Sequence, residues 1–92
     1  MRYSFDAKAD AGSRITKVEV MTDGGWTALD PAATYGVVSN NYLRSGGDGY
    51  GIFAEKAINA YDFGPDLADV VAEYMAATGT YKPYLDGRIT LD

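Results

Sequence analysis

The chain is predicted to be α+β, a mixed β-sheet packed against one main C-terminal amphipathic helix with short helical segments besides. Three observations predict this. "RYSFD" and "RITKVEVM" alternate apolar and polar residues at period two, the pattern of half-buried strands. In "GPDLADVVAEYMAATGT" the apolar residues Leu67, Val70, Val71, Tyr74 and Met75 recur at i, i+3, i+4, i+7 and i+8, which lines one face of a helix. The resulting order is strand, strand, turn, strand, loop, helix, strand along 92 residues. That length suits a single domain with one modest core, since a chain of this size buries about 60 to 65% of its unfolded surface.

Each element follows from its residues. In the first strand Tyr3 and Phe5 share one side, Arg2 and Ser4 the other, and "AKADAGS" is a connecting loop. In the second, Ile15 is out of phase with Val18 and Val20, so the strand carries a bulge or begins late. "TDGGW" is a hairpin-like turn signal, and Pro31 turns the chain again. "YGVVSN" is a short, almost wholly apolar run, the form of a central strand covered on both faces. "YGIFAEKAINAY" begins extended and has no clear period. For the helix, Pro65 suits the first position, Asp66 and Asp69 place negative charge in the first turn, and Gly79 suits the C-terminal cap. "YKPYLDG" is a loop and "RITL" the last strand. Tyr3, Tyr35 and Tyr74 fall at core-facing positions, where they supply bulk.

Composition narrows the chemistry. The chain has no cysteine, which removes disulfides, thiolate nucleophiles and zinc-thiolate sites and leaves the redox compartment open. It has no histidine, the usual general base near neutral pH and the commonest zinc ligand. Catalysis here would have to run on carboxylates, tyrosines or lysines. With 13 acidic and 8 basic residues the net charge is −5, which opposes the phosphate neutralisation that nucleic-acid binding needs. The basic residues are also scattered. No window reaches the roughly 20 apolar residues of a membrane span, and "MRYSFDAKAD" lacks the apolar stretch of a signal peptide.

The chemistry-bearing stretch is "SNNYLRSGGDGYGIF", residues 39–53. It is no P-loop, because no Gly-Lys-Ser/Thr follows, and no dinucleotide fingerprint, because Ile52 stands where the third glycine belongs. A calcium-binding glycine repeat would need further copies and an aspartate in place of Gly51. Two readings remain. In the structural one, Gly46, Gly47, Gly49 and Gly51 form a tight turn at positive φ. In the functional one, bare backbone lets a ligand approach. Asp48 offers a carboxylate to a pair of hydroxyls such as a ribose carries, Tyr42 offers a ring for a base to stack on, and Asn41 offers donor and acceptor. Those groups make a nucleoside cradle rather than a catalytic constellation. Asp62, Asp66 and Asp69 are weighed as hard-metal ligands, but capping and dipole complementation explain the last two. Arg44 is either a phosphate contact or a solvated surface residue.

"NNYLRSGGDGYGIF" resembles the Asn-Asn/Asp-aromatic-Leu-x-x-Gly-Gly-Asp-Gly-Tyr/Phe signature in the C-terminal domain of 5′-nucleotidases, the group that includes bacterial UDP-sugar hydrolases. "YSFDAKADAGSRITKVEV", "LDPAATYGVVSNNYL", "YDFGPDLADVVAEYM" and "DGRI" resemble further stretches of that domain in the same order. The resemblance implies a two-domain periplasmic or secreted enzyme that hydrolyses nucleotide phosphoesters. Its N-terminal metallophosphoesterase domain, which is not in this chain, would hold a divalent metal pair and do the chemistry. The C-terminal domain would clamp the base between two aromatic rings and hold the ribose.

By position, Tyr42 matches the second clamping aromatic, usually phenylalanine, Asp48 the ribose-binding aspartate, and Asn41 a pocket asparagine. Gly46, Gly47 and Gly49 would supply loop backbone. The first aromatic belongs to a segment preceding Met1, so the chain matches the C-terminal part of that domain and its affinity for a nucleoside or nucleotide alone would be weak. No catalytic residue, metal ligand, nucleic-acid partner or membrane contact is assigned. The alternative is a structural module, derived from the same domain, that self-associates without binding ligand. A parent enzyme acting on cyclic nucleotides or a sulfur substrate is also compatible with the resemblance.

Overall fold

A computed structural model describes residues 1–92. The chain divides into two compact units, residues 1–34 with 83–92, and residues 35–82. It is an α+β fold with four strands and three α-helices.

The first unit is a four-stranded mixed sheet. Its strands are β1 (Arg2–Phe5), β2 (Ile15–Thr22), β3 (Gly25–Ala28) and β4 (Ile89–Leu91), in the order β3-β2-β1-β4. β1 pairs antiparallel with β2 and parallel with β4, and β2 pairs antiparallel with β3. The bulge expected near Ile15 is present. Ser4 pairs with Lys17 and Phe5 with Ile15, so Thr16 is the extra residue. Skipping it returns Ile15 to the face of Tyr3, Phe5 and Val18, which repairs the broken alternation. The β2–β3 turn closes through Gly25, whose φ of 106° is a left-handed value that other residues resist.

The opposite sheet face carries charge. Glu19 is only 9% exposed, yet it lies between two cations: Arg2 Nε at 2.5 Å and Lys17 Nζ at 3.0 Å. The Arg2 guanidinium also sits 4.7 Å from the Trp26 ring centre, a cation–π contact. Hydrogen bonds from Arg2 first, then Lys17, hold the Glu19 carboxyl below its ordinary 4.5. A depressed folded-state pKa stabilises the fold above the unfolded value, and that stability is lost as pH falls through the folded one. The sheet is therefore expected to weaken as pH drops below about 4.5. Glu19→Gln should flatten that dependence in melts followed by circular dichroism on either side of this value.

In the second unit, α1 (Asn41–Arg44) and α2 (Gly51–Glu55) flank a 3₁₀ turn at Gly47–Gly49, and α3 spans Leu67–Thr78. Asp66 is the N-cap of α3. Its carboxylate accepts from the backbone N–H of Ala68 and Asp69, which puts Pro65 just outside the helix rather than at its first position. Gly79, at φ 78°, closes the other end as expected.

Several expectations are corrected. Residues 35–40 form no strand, and Val38 is fully exposed, at 100%. A central strand needs a hydrogen-bonding neighbour on each side, and no strand of this chain pairs with that run. The third strand is β3 instead. The stretch after the glycine loop, which begins extended in the sequence pattern, is helical as α2. Tyr35 and Tyr74 are exposed rather than core-facing. No hydrophobic side chain is fully buried.

Candidate functional site

The glycine loop is assembled from its two short helices inward. Asn40 caps α1, its side-chain oxygen accepting from Leu43 N at 2.8 Å. Gly46, at φ 97°, ends that helix in the left-handed conformation, its N–H donating to the Leu43 carbonyl at 3.0 Å. Asp48 (φ 53°) and Gly49 (φ 80°) are left-handed as well. Aspartate is among the few residues with a side chain that tolerate this region. Gly47 and Gly51 do not have positive φ, so the turn's conformational demand falls on two of the four glycines and on Asp48.

Gly47 is required for space. A Cβ built there would lie 2.5 Å from Tyr42 Cζ and 2.6 Å from both Cε1 and Cε2. Near-equal distances to three neighbouring ring carbons place that position over the face of the ring. Tyr42 therefore lies flat on the bare Gly47 backbone. It remains 55% exposed.

From that seat the Tyr42 hydroxyl donates to Asp48 Oδ1 at 3.3 Å. This is long for an O–H···O bond, and both residues are exposed. The phenol ring and the carboxylate thus stand side by side at the surface. Asn41, the first residue of α1, is exposed and makes no hydrogen bond to either of them.

Sequence reasoning missed the groups that brace the loop. Arg44 is not a solvated surface residue. Its Nη1 donates to the Phe53 carbonyl at 2.9 Å, one of the last carbonyls of α2 that the helix itself cannot satisfy. Its Nε lies 3.0 Å from Asp62 Oδ1 without making a hydrogen bond, and its Nη2 donates to Asp62 Oδ2 at 3.5 Å. The Tyr50 and Phe53 rings stack, with centroids 5.4 Å apart and planes at 21°. An arginine–carboxylate pair 18 residues apart leaves no periodic trace, so no sequence signal could have found it.

No three Asp or Glu side chains gather as a metal site. Asp62 is engaged by Arg44 and Asp66 by the α3 cap. A hollow of about 200 Å³ on the sheet is lined by Arg2, Lys17, Glu19 and Thr90 among others. It is the setting of the Arg2–Glu19–Lys17 network and contains no residue of the loop.

Comparison with known proteins places this geometry in context. Residues 1–55 match the family described as "5'-nucleotidase, C-terminal domain". The trifunctional nucleotide phosphoesterase protein YfkN of Bacillus subtilis is 31% identical over 97% of this chain, which spans 6% of that protein. A 5′-nucleotidase of Homo sapiens is 28% identical over 92% of the chain, which spans 15% of it. The crystal structure of a 5′-nucleotidase precursor from Thermus thermophilus superposes with a TM-score of 0.87 and 39% identity, over 98% of this chain and 18% of that one. The chain is thus a small fraction of the length of each relative. It belongs to the 5′-nucleotidase C-terminal domain family.

Proposed function

We propose that this chain is part of the specificity domain of a 5′-nucleotidase-type phosphoester hydrolase. It binds the base and ribose of a nucleotide and performs no chemistry itself. The observation that carries this reading is the pairing of Tyr42 with Asp48. An exposed ring seated on Gly47 is a platform for a base, and the adjoining carboxylate accepts hydrogen bonds from ribose hydroxyls. Asn41 is assigned to the same pocket by its position in the motif.

Hydrolysis falls in this reading to a separate metallophosphoesterase domain holding a divalent metal pair. The relatives named as nucleotide phosphoesterase and 5′-nucleotidases support the substrate class. A periplasmic or secreted location goes with this reading. No helix of the chain is long and apolar enough to cross a membrane.

Titration with adenosine or AMP, followed through backbone amide shifts, tests the assignment. The expected result is that perturbations concentrate on residues 41–50, with weak affinity because only one face of the base is covered. Shifts confined to other residues would remove Asn41, Tyr42 and Asp48 from the site.

A second reading is favoured by the exposure of Ile15, Ile89 and Leu91 on the sheet and of Leu67 and Met75 on α3. Open apolar faces promote association, so the chain would act as a self-associating structural module. Sedimentation that depends on concentration, together with an absence of nucleoside response, would establish that alternative.

A further inference from the structure

We propose that Tyr42 is the positioning residue that sets ribose specificity, its hydroxyl holding the Asp48 carboxylate so that an intact 2′,3′-diol is preferred over a 2′-deoxyribose. This rests on the reading above, in which a nucleoside stacks on Tyr42. A phenylalanine here would keep the stacking face, so any role of the hydroxyl is separate from that of the ring.

Three features define the arrangement. The ring is held flat on Gly47, which fixes where its hydroxyl can be. Asp48 is held by a left-handed backbone between Gly46 and Gly49, themselves left-handed, so its side chain leaves the turn in a set direction. The only hydrogen bond of the Asp48 carboxylate is the one accepted from the Tyr42 hydroxyl. An exposed aspartate without that partner would rotate among rotamers and lose entropy on binding.

With the bond made, the carboxylate is oriented before the ligand arrives. A carboxylate has about four lone-pair sites, so one donor from Tyr42 leaves room for both ribose hydroxyls. With its O–H directed at Asp48, the phenol oxygen offers the ligand only lone pairs. The edge presented to the ligand is then built of acceptors, which suits a sugar that offers two donors.

The test compares adenosine with 2′-deoxyadenosine on the intact chain, on Tyr42→Phe and on Asp48→Asn, with affinities taken from amide shifts at residues 41–50. A preserved pattern of shifts in the first unit shows that each variant is folded. The expected result is a preference for adenosine in the unaltered chain, reduced about two- to tenfold by Tyr42→Phe, the size of one hydrogen bond. 2′-Deoxyadenosine, which has only its 3′-hydroxyl to donate to Asp48, should lose less affinity in that variant. Asp48→Asn should lower the preference at least as far. If both nucleosides bind and Tyr42→Phe leaves their ratio as it was, this inference falls while the nucleoside reading stands. If neither nucleoside perturbs residues 41–50, both fall.

Discussion

Gly47→Ala is expected to abolish nucleoside binding while leaving the fold nearly as stable as before. The reason is geometric. Because Gly47 does not have positive φ, alanine meets no backbone penalty there. Its methyl carbon, however, would sit 2.5 Å from Tyr42 Cζ, closer than nonbonded carbons approach. Tyr42 is exposed, so the ring can swing into solvent at small cost. It then loses the seat from which it stacks on a base and donates to Asp48. Stacking alone is worth about 1 to 3 kcal/mol, enough to take a weak interaction below detection.

Gly49→Ala is the matched control. At Gly49 nothing lies within 4 Å of an added Cβ, but φ is 80°, so alanine costs about 1 to 2 kcal/mol of backbone strain with no collision against the ring. The two variants should separate cleanly: binding lost with stability kept for Gly47→Ala, stability lowered for Gly49→Ala. The ring's position can be followed without ligand, because a ring lying over Gly47 shifts that residue's α-protons upfield. Nucleoside affinity of Gly47→Ala equal to that of the unaltered chain would show that the flat seat is not what presents Tyr42.

Arg44→Ala is expected to loosen the second unit by about 1 to 2 kcal/mol. Arg44 links three points: the end of α1, the Phe53 carbonyl in α2, and Asp62. Removing it leaves the carbonyl without its directed donor and Asp62 without its cation. The ion-pair share is discounted because the Asp62 side chain is 56% exposed. Arg44→Lys should recover only part of the loss. A single ammonium cannot donate to the carbonyl and lie against the carboxylate in the fixed fork of a guanidinium. Amide hydrogen exchange over residues 51–62 is the measurement, with faster exchange expected in Arg44→Ala and intermediate rates in Arg44→Lys. Unchanged exchange would mean that the helices hold themselves in place.

Legibility in the sequence followed the range of the forces involved. Alternation exposed β1 and β2, and the phase break at Ile15 exposed the bulge, because strand periodicity is a local property. The stripe of α3 and its closing Gly79 were equally plain, while Pro65 lies outside the helix rather than at its first position. The short helices α1 and α2 have four and five residues, too few for a period to show. β3 has only four residues, with a glycine and an alanine among them, too few for alternation to mark it. Residues 35–40 have the composition of a central strand, but composition cannot supply the neighbour that would pair with them. For the site, the glycine cluster was recognisable as a turn beside an aromatic and a carboxylate. The division of labour among its glycines was not, since φ at Gly46 and Gly49 and clearance at Gly47 leave the same letter in the sequence.

The sequence by itself determined the α+β class and the main helix with its polar cap, because those depend on periodicity and on neighbouring residues, and its loop motif carried the resemblance to the family. Only the tertiary structure decided that Tyr42 lies on Gly47, that its hydroxyl reaches Asp48, and that Arg44 ties α2 to Asp62. Those contacts depend on how the backbone turns between residues five to eighteen positions apart, and it is torsion angles, not residue types, that set where such side chains meet.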